Sequence, residues 1–246
     1  MRIALVAEGL GDGVVIHAAL ESMLGGQPFV LQQLFPDTSL AFGGMGTGWG
    51  GVYRWCHASA KRGSGRLSGD NLLWGLGMYD LLILHLDVDV AGKEYGEALG
   101  REYADILLPT DLPLPCDKPC PPAADAANEL RKVLLSWCGE TQVPPKTVLC
   151  TPSKNTGAWV VAALFPTEPE MIRRGWECHP APESRFSALP ASVRIKKTPL
   201  DYRSKRHVII AEWARLCNDL PQAARFSEEF RDVLEFVLQE RTENLF

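Results

Sequence analysis

The chain opens on an apolar stretch, RIALVA at residues 2–7, that reads as a buried strand. Apolar positions then recur with helical spacing over 12–24, at Val14, Val15, Ala18, Ala19 and Met23. A second strand is predicted over 29–35 (FVLQQLF). The clearest strand covers 80–88 (DLLILHLDV), apolar on both faces as in a central parallel strand covered on each side. Another follows at 146–151 (KTVLCT). Helices are predicted over 52–61, 70–78, 94–107 and 123–138, the last through Ala126, Leu130, Val133, Leu134 and Trp137, and again over 156–165, 199–217 and 222–241. Residues 43–51 (GGMGTGWGG) are too rich in glycine for regular structure at a reasonable entropy cost and predict a mobile loop. Residues 108–122 carry six prolines and predict an irregular, extended segment, and 175–193 are irregular as well.

Strands alternating with helices imply an α/β fold: a mainly parallel sheet flanked by helices, with a helical C-terminal region. The 246 residues divide into an α/β domain over 1–193, interrupted by the Pro- and Cys-rich insertion near 108–122, and a segment over 194–246 whose helices pack on it. At 46% hydrophobic and 22% charged, the composition is that of a soluble globular chain with a sizeable core. No apolar run approaches the roughly 18 residues that span a bilayer. The N-terminus moves directly into a strand without the apolar region of a signal peptide, so a cytoplasmic location away from membranes is expected. The seven cysteines are odd in number and scattered, which argues for reduced thiols over a disulfide framework. Cys116 and Cys120 are the one close pair, and a zinc site would need two further ligands.

Two predicted strands end in acid. The first runs into Ala7-Glu8-Gly9-Leu10-Gly11-Asp12, the third into His85-Leu86-Asp87-Val88-Asp89. In open parallel sheets ligands bind beyond the carboxyl ends of the strands, and neighbouring strands would bring these acids to one edge. Several carboxylates a few ångströms apart repel strongly, and hard divalent cations with oxygen ligands offset that repulsion. Period-two alternation would place Asp87 and Asp89 on the same side of the chain. Each acid has a plainer alternative: Asp12 can cap the helix that follows, and Glu8 can be a solvated loop acid. Phosphate loops fit worse. Val14 stands where the third glycine of a dinucleotide fingerprint belongs, and no GxxxxGK[ST] occurs.

Glu8 after the first strand, with Asp87-Val88-Asp89 after a later one, resembles the TOPRIM pattern of topoisomerases, primases and the overcoming-lysogenization-defect (OLD) family nucleases. Glu8-Gly9-x-x-Asp12 leading into a helix resembles the OLD-type and related small TOPRIM-like proteins of bacterial defence loci. The stretch Lys196-Lys197-Thr198-Pro199-Leu200-Asp201-Tyr202 is similar to a lysine-containing segment of those proteins, and Ser153-Lys154 sits where a further polar motif can occur. The insertion at 108–122 departs from the basic TOPRIM unit, and no second acidic motif is evident after residue 146.

The resemblance implies a Mg²⁺- or Mn²⁺-dependent nuclease in an anti-phage or mobile-element context, with Glu8, Asp12, Asp87 and Asp89 as metal ligands. Phosphodiester hydrolysis needs an activated water and charge stabilisation, which metal ions supply. Lys197 would add positive charge near the scissile phosphate, with Lys154 as the second candidate. It also implies a separate ATPase subunit or a homo-oligomer as partner. In a chain of net charge −5, residues 194–207 reverse the sign locally with Arg194, Lys196, Lys197, Arg203, Lys205 and Arg206 against Asp201. Such a run can track a nucleic-acid backbone or be a solvated helix start. Trp49, Tyr53 and Trp55 can stack on bases or pack in the core. Rival readings are a metal-dependent phosphatase on small molecules and a non-catalytic TOPRIM-like subunit. In the haloacid-dehalogenase pattern the acid pair follows the first strand, whereas Asp87 and Asp89 follow a later one.

Overall fold

The apolar runs become the strands of one all-parallel sheet in a computed structural model of the chain. It describes residues 1–36, 45–68, 78–101, 103–191, 194–196 and 198–243, without the side chains of Tyr103, Glu170, Met171 and Arg174. The strands are β1 (Arg2–Val6), β2 (Val30–Phe35), β3 (Leu81–His85) and β4 (Thr147–Cys150), in spatial order β2-β1-β3-β4. Their register places Ile3 beside Leu31 and Leu81, and Leu84 beside Val6 and Leu149. The helices are α1 (Leu10–Leu24), α2 (Gly48–Arg62), α3 (Tyr95–Leu99), α4 (Ala123–Trp137), α5 (Thr156–Leu164), α6 (Pro169–Arg174), α7 (Ser184–Ser187), α8 (Pro199–Asp219) and α9 (Pro221–Glu243).

Because side chains alternate along a strand, the sheet feeds two cores. Ile3, Leu5, Leu81, Ile83 and Val148 point to one face and pack with α1, α5, α8 and α9, including Trp159, Trp213, Phe226 and Phe230. Ala4, Val6, Leu82, Leu84 and Leu149 point to the other and meet α2 and α4 through Val52, Tyr53, Leu130, Leu134 and Trp137. Burial on both faces is why the strands read as unbroken apolar runs. Each large side chain withdrawn from water contributes on the order of 1.5–3 kcal/mol. Tyr53 and Trp55 belong to the second core and Trp49 packs against it, stacked on Trp137. These rings therefore fill the interior.

Several elements differ from expectation. Residues 48–51 form the first turn of α2. The glycines at 50 and 51 have a packing cause: a Cβ on Gly51 would lie 2.1 Å from Phe35 Cζ, and one on Gly50 2.7 Å from the Ala98 Cβ. The helix expected over 94–107 stops at Leu99, because Gly100 takes a positive φ, and only a 3₁₀ turn follows at Tyr103–Asp105. The helix expected over 70–78 lies, save for Met78, outside the described residues. Within 175–193 the chain forms a 3₁₀ turn at Trp176–Cys178 and the short α7. Cys120 and Cys178 form a disulfide, so these two are not the reduced thiols that the scattered spacing suggests. Partners 58 residues apart leave no spacing signature. Among the described residues, no helix is long and apolar enough to cross a membrane.

Candidate metal centre

The chain leaves β1 toward β2 on one side, crosses back, and then adds β3 and β4 on the other side. Beyond the ends of β1 and β3 the connections diverge, opening the crevice where parallel sheets place ligands. The acids of both strand ends enter it. Asp12 is the third residue of α1, and its Oδ2 accepts the Gly9 N–H at 2.8 Å. Asp12 is thus a helix cap, but only one of its oxygens is used this way. Its Oδ1 accepts the Thr156 hydroxyl at 2.6 Å. Asp87 Oδ1 accepts the Thr156 backbone N–H at 3.3 Å, from the start of α5. Glu8 Oε1 accepts the Asp87 N–H at 2.7 Å and so ties the two strand ends together.

One atom each from Asp12, His85 and Asp87 lie within 4.8 Å of one another, a group able to hold a metal ion. His85 is fully buried in β3. Its Nε2 stands 3.0 Å from Asp87 Oδ1, yet neither ring nitrogen makes a hydrogen bond of acceptable geometry. A buried polar atom left unsatisfied costs about 1–3 kcal/mol, and a cation beside both residues would relieve it. The acids tell the same story. Burial, and then the charge of Asp87, holds the Glu8 carboxyl well above the usual carboxylate range. Burial, and then the charges of Asp12 and Asp89, does the same to Asp87. Both side chains keep some surface contact with solvent, but they sit beneath enough protein for dehydration to dominate. Two crowded carboxylates and one unsatisfied imidazole fit a divalent cation.

Neither Glu8 nor Asp89, both expected as metal ligands, joins the group. β3 ends at His85, and Val88–Gly92 form a 3₁₀ helix, so strand alternation no longer relates Asp89 to Asp87. Asp89 is exposed by surface area, although surrounding protein crowds it enough to raise its carboxyl; Lys93 and Lys154 oppose that rise. Lys154 stands at the turn after β4, and its carbonyl accepts the Asp89 N–H at 3.1 Å. Lys197 lies outside the described residues.

The other basic residues lie in the segment that leads into α8 and on that helix. Arg194, Lys196 and Arg203 are exposed, and Lys205 is half-buried. Arg206 is held by Glu21 of α1, with Nε···Oε2 at 2.7 Å, and lies 3.2 Å from His17 Nδ1. Arg203 and Arg206 line a cavity of about 360 Å³ with Leu10, Val14, His17 and Gln33.

Four site residues carry no motif. His85 has a weak signal, a polar residue inside the most apolar strand and two positions before Asp87. Thr156 has none, since it reaches Asp12 across 144 residues. Glu183 is buried; it accepts the Tyr202 hydroxyl at 2.5 Å and the Asn155 side-chain amide at 3.3 Å. Its charge reaches both Asp87 and Asp89. Gly157 makes room for it, since a Cβ there would lie 2.1 Å from Glu183 Oε1. Glu183 is a buried carboxylate near Asp87 and Asp89 that no motif in the sequence marks. Compared with protein-family models, curated proteins and solved structures, the chain matches none.

Proposed function

We propose that the protein is a divalent-metal-dependent phosphodiesterase acting on nucleic acid, a TOPRIM-like nuclease. The observation that carries this reading is the meeting of Asp12, His85 and Asp87 in the crevice between β1 and β3. Asp12, His85 and Asp87 would hold the ion. When bound, such an ion polarises a phosphoryl oxygen and makes water a better nucleophile. The imidazole favours Mn²⁺ over Mg²⁺, since Mg²⁺ takes oxygen ligands in near-ideal octahedra. Glu8 fixes the Asp87 backbone, and Thr156 orients both aspartates through its hydroxyl and N–H. Asp89 and Lys154 flank the group, with Lys154 the cation available to a phosphate. Arg194, Lys196, Arg203 and Lys205 extend positive charge along the surface for a strand to follow.

The context proposed with this activity is anti-phage defence, with a separate ATPase subunit or a second copy of the chain as partner. Purified protein with Mn²⁺ is expected to nick or degrade DNA or RNA, and Glu8→Ala or Asp87→Ala to abolish this. Hydrolysis that survives both substitutions contradicts the assignment. Mn²⁺ binding without cleavage of any nucleic acid favours the non-catalytic subunit.

A further inference from the structure

Beside the carboxylates lies a second recess of about 150 Å³. Asp89, Ser153 and Lys154 line it from the strand ends, and Asp117, Lys118 and Cys120 from the Pro-rich segment. Its volume is several times the roughly 30 Å³ share of one water, enough for a phosphate group. Two observations show it to be built. Lys154 adopts the left-handed conformation, with φ of 63°. That costs a non-glycine residue about 1–2 kcal/mol, and such strain collects where side chains are aimed for function. Asp117, Lys118 and Pro119 are exposed, so burial does not fix them. They are held from both ends: the Cys116 N–H donates to the Ala91 carbonyl at 2.7 Å, and the Cys120–Cys178 disulfide ties the far end to the 3₁₀ turn Trp176–Cys178. The same turn is joined to the Lys154 side, because the Ser153 hydroxyl donates to the Glu177 carbonyl at 2.6 Å. Asp89, Asp117 and Glu129 offset the two lysines, so positive charge from a divalent cation at the neighbouring carboxylates would favour an anion there.

We propose that this recess receives a phosphate of a nucleic-acid strand flanking the one at the metal centre, gripped by Lys118 and Lys154, and that the Cys120–Cys178 disulfide holds Lys118 there. This rests on the metal-dependent reading above, and binding separates the two. Anisotropy of fluorescein-labelled single-stranded DNA and RNA is measured in Ca²⁺ over a salt series. Each phosphate contact contributes about 0.7 to the slope of log K against log salt for single strands. Lys118→Gln is expected to lower the slope by about that amount. Reduction of the wild type with tris(2-carboxyethyl)phosphine is expected to give the same loss. The phosphine takes a water oxygen to become its oxide, and the disulfide gains two electrons and two protons to become two thiols. Reduction should then change nothing further in Lys118→Gln, and Cys178→Ser should behave as the reduced wild type. An unchanged slope in Lys118→Gln, or a wild type that binds neither strand, overturns the subsite. An unchanged slope on reduction overturns the role of the disulfide. Lys118-dependent binding without Mn²⁺-dependent hydrolysis leaves the subsite standing and removes the proposed activity alone.

Discussion

His85 shows how a single residue can change the reading of a site. A histidine buried in an apolar strand with both ring nitrogens unsatisfied is costly, and the carboxylates beside it are costly for the same reason, dehydration. Glu8 and Asp87 both have folded pKa values above their unfolded ones. Their contribution to stability is therefore full below the ordinary carboxylate range near pH 4 and is lost as pH rises through the raised values. Glu177 adds to this with the same sign: burial pushes it up to about 7, so its contribution is gone once pH passes that value. Metal-free wild type is accordingly expected to lose denaturant stability relative to Asp87→Asn as pH rises from about 5 to 8. Saturating Mn²⁺ should reverse that order, because binding to the folded state stabilises it. Parallel stability curves for the two proteins, with and without Mn²⁺, would contradict the dehydrated-carboxylate account.

At the scale of elements, the strands were legible because they are buried on both faces, and β1 to β4 lie inside the predicted ranges. What escaped was decided by contacts between distant segments. The glycines of 48–51 signal flexibility along the chain, yet in space they are the close approach of α2 to Phe35 and Ala98. Helix propensity favours alanine over glycine by about 1 kcal/mol, while forcing a methyl into packed atoms costs about 1–3 kcal/mol. With Phe35 buried and its ring 2.1 Å from the added carbon, the clash outweighs propensity. Gly51→Ala is expected to lower stability by about 1–2 kcal/mol in urea unfolding, and a stabilised variant would show that the ring can move aside. Glu8 and Asp87 were legible because they stand just past strand ends, and Asp12 because it opens the helix after β1. Asp89 was misplaced because the 3₁₀ turn after β3 breaks the alternation. Glu183 and Thr156 were hidden because a loop and the first residue of α5 deliver them from far along the chain.

At the scale of the whole molecule, the C-terminal helices complete the fold. Trp213, Phe226 and Phe230 share one core with Ile3, Leu5 and Ile83. Arg131 of α4 is buried and paired with both oxygens of Glu229 in α9 at 2.7 Å. Removing one member of a buried ion pair costs about 3–5 kcal/mol, and a typical domain has only about 5–15 kcal/mol in total. A fragment ending at residue 193 is thus expected to show no cooperative thermal transition by circular dichroism. A fragment that melts cooperatively would make 194–246 a separate unit. The same arrangement sets Tyr202 of α8 on Glu183, so these helices also shape the crevice.

Everything proposed for function depends on an ion at Asp12, His85 and Asp87, and anomalous diffraction from crystals grown with Mn²⁺ asks that question most directly. Expected is a peak bonded to the carboxylates of Asp12 and Asp87 and to a ring nitrogen of His85, absent in Asp87→Asn. Crystals saturated with Mn²⁺ that show no peak between these three residues would contradict the metal centre.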